Sequence, residues 1–115
     1  MTLLVTAYRI TRDAEGEKTE RIACQSDLAG FEETRATFYG QTRARALGLA
    51  MLPSLATSNI YARGCELEKL RAEVSLLMAD LSPAEISYWQ SRLTNILHAI
   101  DAASAYGPDG LVIID

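Results

Sequence analysis

The sequence predicts an α+β fold, a small three-stranded and mainly antiparallel sheet packed against helices. Three observations carry that prediction. The chain opens and closes on apolar, β-rich runs, Thr2 to Thr11 and Leu111 to Ile114. Two segments near the C-terminus repeat apolar residues at alternating three- and four-residue intervals, the spacing of a helix seam. Between them stands a helix-start signal at Ser82, Pro83 and Glu85.

In the first run, Leu4, Thr6, Tyr8 and Ile10 fall on one face of a strand, with Leu3, Val5 and Ala7 on the other. Two partly apolar faces predict an interior strand. The polar RDAEGEK stretch holds Gly16 and suits a turn, and KTERIAC (18–24) reads as a more polar edge strand, completing a hairpin. Ser26 then fits a helix N-cap, with Asp27 in the first turn and Leu28, Phe31 and Phe38 as the apolar set. That helix is expected to end at Gly40. QTRARALGLAML resumes helical composition until Pro53, and 53–64 reads as a loop or as a helix beginning at Ser58.

From Cys65 the pattern sharpens. Leu67, Leu70, Val74, Leu77 and Leu81 form one seam; Ile86, Trp89, Leu93, Ile96, Ile100 and Ala103 form a second. So short a connection makes the two helices an antiparallel αα-hairpin. YGPDG ends the second helix, and the last strand returns beside the first, giving the sheet order 2-1-3 and the element order β-β-α-α-α-α-β. The continuous apolar run Leu111 to Ile114 suits a strand covered on both faces. The expected unit is one domain, residues 1–115, a length sufficient for a single core.

Charge is unevenly placed. Residues 1–64 carry eight Lys or Arg against seven Asp or Glu, whereas residues 65–115 carry three against eight, a local balance of −5 within a total of −4. Phosphate backbones are repelled by the second half, so nucleic acid is not the expected partner there, and a basic protein partner is the natural complement. No apolar run is long enough to span a bilayer, and the N-terminus lacks the basic start of a signal peptide, so a cytoplasmic location is expected. Cys24 and Cys65 stand 41 positions apart without metal-ligand spacing; neither a metal site nor a cofactor is predicted.

The chain lacks phosphate-loop, dinucleotide, zinc-protease and nucleophile-elbow motifs. Any His-dependent chemistry must use His98, the only histidine, with Asp101 three residues on and Thr94 four before it on one helix face. No nucleophile completes that set, and a solvated helix face accounts for it. Trp89 falls in the seam between Ile86 and Leu93 and reads as core. FEETRATFYGQTRAR interleaves Arg35, Arg43 and Arg45 with Phe38 and Tyr39, a composition common in protein hot spots.

The function expected from these features is a non-catalytic protein-binding module, an acidic inhibitor or immunity-type protein masking a basic partner. The alternative is a ligand-binding domain with a pocket between sheet and hairpin near Tyr8, Tyr61 and Trp89. Candidate binding residues are Arg35, Tyr39, Arg43, Tyr61, His98 and Asp101. A homodimer through the seamed helices is a candidate assembly.

Overall fold

The computed structural model describes residues 1–24 and 26–115. It is an α+β fold, with one antiparallel sheet backed by helices. Strand β1 runs from Thr2 to Asp13 and β2 from Gly16 to Ile22, joined by a turn at Ala14 and Glu15 within the expected stretch. The last strand, Gly110–Ile114, does pair antiparallel with β1, from Val5↔Ile114 to Arg9↔Gly110.

Two strands correct the three-stranded expectation. The first, β3 (Leu28–Phe31), lies where a helix from Ser26 was expected. Its physical cause is Gly30, held at φ +150, where a Cβ would sit 2.7 Å from Thr34 Oγ1 and 3.4 Å from the Trp89 ring. Glycine adopts that backbone without strain and leaves room for the indole; it also weakens a helix interior. The backbone N–H of Val5 donates to Asp27 O at 2.8 Å, while Leu4 exchanges hydrogen bonds with Asp115 on its other side. So β3 continues along the edge of β1 that β2 occupies. The second added strand is β4 (Ile60–Arg63), in the stretch read as loop or helix. It alternates buried Ile60 and Ala62 with exposed Tyr61 and partly exposed Arg63, a short edge-strand pattern. With Gly110–Ile114 numbered β5, the order is β2-β1-β5-β4, and β3 pairs with β1. The predicted neighbours of β1 stand; β4 lies outside β5.

The helices are also fewer than the four expected. Arg35–Tyr39 is a π-helical turn closed by Gly40 N–H on Arg35 O at 2.8 Å. A Cβ on Gly40 would meet Ala56 Cβ at 2.8 Å, so glycine permits the close approach to the next turn. Helix α1 is only Thr42–Ala46; Gly48, at φ +84, follows its end, and a 3-10 turn then spans Leu52–Ala56. The long helices α2 (Glu66–Ala79) and α3 (Pro83–Ser104) form the predicted hairpin. Ser82 N–H donates to Glu85 Oε1 at 3.0 Å, completing the capping box read from the sequence.

Both seams turn inward onto one face of the sheet. Leu67, Leu70, Val74 and Leu77 of α2 are buried, as are Leu93, Ile96 and Ile100 of α3. They close over Leu3, Val5, Ala7, Val112 and Ile114 in one continuous core. Ile86 departs from the expected seam and is 43% exposed. At the tight end of this layer Gly110 runs so close to α3 that a Cβ would sit 2.0 Å from Ala103 O. Among the described residues no helix is long and apolar enough to cross a membrane.

Candidate functional site: the open face of the sheet

Strand alternation sends the other half of the sheet's side chains away from the helices. Register defines two cross-strand rows on that side. Thr6, Ile113 and Tyr61 stand abreast on β1, β5 and β4; Arg21, Tyr8, Leu111 and Arg63 stand abreast on β2, β1, β5 and β4. Ile10 pairs with Thr19 one row further on. None of Tyr8, Ile10, Leu111, Ile113 or Tyr61 belongs to the core formed with the helices. Tyr61 is 61% exposed, whereas Ile10 is buried. Ile10, Thr19, Tyr61 and Leu111 together line a shallow depression of about 460 Å³.

Charges ring this apolar centre, and the arginines among them find partners within the chain, whereas exposed Asp115, abreast of Leu4 at the end of the last strand, makes no ion pair among the described residues. Arg12 bonds both Glu17 and Asp109 at 3.0 Å. Arg63 reaches Glu17 at 3.4 Å, and Arg21 reaches Asp27 at 3.3 Å. The Arg63 guanidinium, and then Arg12, holds the Glu17 carboxyl below its ordinary range. Three arginines thus offset three carboxylates on this side, so that little of the chain's −4 falls on it, Asp115 being the carboxylate left over.

The six candidate binding residues are dispersed. Tyr61 alone stands on the open face. Arg35 is consumed inside the fold: it bonds Glu32 at 2.6 Å, Asn59 Oδ1 at 2.7 Å and the carbonyls of Ser58 (2.9 Å) and Leu55 (3.3 Å). Tyr39 is fully buried, and its hydroxyl donates to Ala29 O at 2.7 Å. Burial pushes that phenol well above the ordinary tyrosine range. Arg43 grips Glu85 with both terminal nitrogens, at 2.6 and 3.0 Å, and its guanidinium lies over the Phe38 ring. His98 is exposed on α3, while the Asp101 carboxylate is taken by Arg71 of α2.

The three aromatic residues expected around one pocket are separated by the sheet itself. Trp89 lies beneath it, stacked on Phe38 with centroids 3.6 Å apart and planes 5° from parallel; Tyr39 meets the indole edge-on at 5.6 Å. Tyr8 and Tyr61 point to the opposite side. Leu111 and Ile113 do not stand out as surface residues in the sequence because strands apolar on both faces read as doubly covered. The alternation of β1 was the available signal. Among the described residues no group of three His, Cys, Asp or Glu side chains is placed to hold a metal ion.

Comparison of the chain with protein-family models, with curated proteins and with solved structures gave no match.

Proposed function

We propose that this chain is a non-catalytic protein-binding module whose docking surface is the open face of its sheet. The observation that carries the reading is the set Tyr8, Tyr61, Leu111 and Ile113, apolar or aromatic residues that are not buried and stand on a side without a helix layer. Tyrosine supplies large contact area with few rotatable bonds and a polar tip, which is why it recurs in binding hot spots. A rim of paired charges around an apolar centre is the anatomy of a docking patch.

The reading rests on this apolar surface rather than on net charge. Carboxylates of the acid-rich half are drawn into intramolecular pairs: Glu85 with Arg43, Asp101 with Arg71, and Asp109 with Arg12. A basic partner therefore meets fewer free carboxylates than the formal charge counts. A cytoplasmic location belongs to the same proposal; Cys24 and Cys65 are free thiols, in keeping with a reducing compartment.

Affinity capture with three forms of the protein tests it. Tyr61→Asp puts a charge on the open face at an exposed position, and Ile86→Asp does the same on α3. A protein retained by the wild type and by Ile86→Asp, but lost at least about tenfold with Tyr61→Asp, is the expected result. Equal retention by all three forms, with circular dichroism unchanged, would overturn the proposal.

A further inference from the structure

We infer that the occupant of the open face is the same face of a second copy of this chain. The inference rests on reading that face as a docking surface and goes further by naming what covers it.

Both central strands are apolar on their two sides. On β1, Leu3, Val5 and Ala7 go to the helices, and Leu4, Tyr8 and Ile10 go the other way. On β5, Val112 and Ile114 are in the core, while Leu111 and Ile113 are not. Such strands suit a sheet covered twice, and the described residues supply one cover. The helix seams do not provide the dimer contact, because their residues are already buried within one chain.

Charge selects self-pairing over a basic or acidic partner. A two-fold axis brings each surface against its own copy, so a face with unbalanced charge would repel itself. Here Arg12, Arg21 and Arg63 are matched by Glu17, Asp27 and Asp109 within each chain. The apolar rows around Tyr8, Leu111 and Tyr61 then meet without stranding one of these charges, and Asp115 lies beyond them at the end of β5.

The area is of the right order. At ~3.3 Å per residue and ~4.8 Å between strands, the five strands cover ~500 Å² of flat sheet. That footprint is somewhat below, and of the same order as, the ~800 Å² per partner of a standard stable interface. Two such sheets pack about 10 Å apart, aligned or orthogonal, giving a helix–sheet–sheet–helix stack.

Light scattering on the full chain tests the inference. The expected mass is twice the 12.6 kDa of one chain. It should fall to one chain in Tyr61→Asp and in Ile113→Asp, and remain doubled in Ile86→Asp. Because the rim is internally neutral, raising salt from about 0.05 to about 0.5 M should shift the dimer dissociation constant less than about threefold. A wild type that stays monomeric up to millimolar concentration overturns self-pairing; so does a dimer that survives both face substitutions. Should Ile113→Asp fail to fold, Tyr61→Asp decides alone, since that side chain is mostly solvent-exposed. A monomeric wild type that loses another protein on Tyr61→Asp sinks this inference and leaves the docking face standing. A capture pattern unchanged by Tyr61→Asp, together with a monomeric wild type, sinks both.

Discussion

The C-terminal hairpin, Glu66 to Ser104, and the stretch from Leu28 to Arg63 are of comparable length but are held in different ways. The hairpin is specified by local spacing: its two seams bury their own apolar residues, and its turn is fixed by a capping box within four residues. The middle stretch has short elements that would not persist alone. Side chains reaching across the sequence tie it down. Arg35 joins the π-turn to Leu55, Ser58 and Asn59. Glu73, from α2, accepts the backbone N–H groups of Ala50, Met51 and Leu52 at 3.2, 3.0 and 2.9 Å. One region is built from a repeated pattern, the other from particular polar contacts.

The most severe way to break this comparison is to remove what both regions share. β5 lies between β1 and β4 and carries Val112 and Ile114 into the core under α3. Deleting residues 111–115 strands the hairpin and the middle stretch together, and its expected outcome is insoluble or unfolded protein. A cooperative thermal transition near that of the intact chain would refute the sheet order.

The same contrast explains what could be read in advance. The β1–β2 hairpin, the pairing of β5 with β1 and the two long helices were legible, because alternation and seam spacing repeat over many residues. The start of α3 was legible from Ser82, Pro83 and Glu85 alone. Strand β3 was not: Leu28 and Phe31 suit a helix by spacing, and the decisive fact, the indole of Trp89 lying against Gly30, is remote in sequence. Strand β4 has four residues, too few for periodicity to separate strand from loop. Of the candidate binding residues, Tyr61 could be judged only once β4 existed. Arg35 and Arg43 drew notice for their chemistry, but their partners Asn59 and Glu85 come from other elements.

Substituting the polar ties sharpens the comparison at intermediate cost. Arg35→Met removes four hydrogen bonds and leaves the carbonyls of Leu55 and Ser58 without that donor; a loss of about 2–4 kcal/mol is expected. Glu73→Ala should cost less, about 1–3 kcal/mol. Its effect should be local: amide exchange at Ala50, Met51 and Leu52 accelerates while amides in the middle of α3 keep their protection. Uniform acceleration through both regions would show that the middle stretch is not held separately.

A smaller effect probes the contact that joins the regions. Glu85 caps α3 and also receives Arg43 from α1; those bonds, Arg43 first and the Ser82 backbone second, hold its carboxyl down at about 2 against an ordinary 4.5. A carboxyl held low in the folded state binds protons more readily when unfolded. Its stabilisation is therefore complete above about pH 4.5 and is lost as pH falls toward 2. Glu85→Gln should lower the melting temperature at pH 7 and flatten the decline between pH 4.5 and 2 relative to the intact chain. An unchanged slope would mean that the Arg43 contact does not form in solution.

The smallest expected effect lies on the outer face of the hairpin, where local pattern alone should govern. His98 is exposed, and the nearby Asp101 is turned to Arg71, which also meets Glu68 at 3.3 Å and Ser104 at 3.4 Å. Asp101 is thus part of an interhelical tie, while His98 adds no packing to the core. His98→Ala should leave stability within about 0.5 kcal/mol of the intact protein. Asp101→Ala, losing a surface ion pair, should cost up to about 1 kcal/mol. The order matters more than the values. If His98→Ala proves the costlier change, or abolishes binding that Tyr61→Asp leaves intact, the working surface lies on α3 and not on the open sheet.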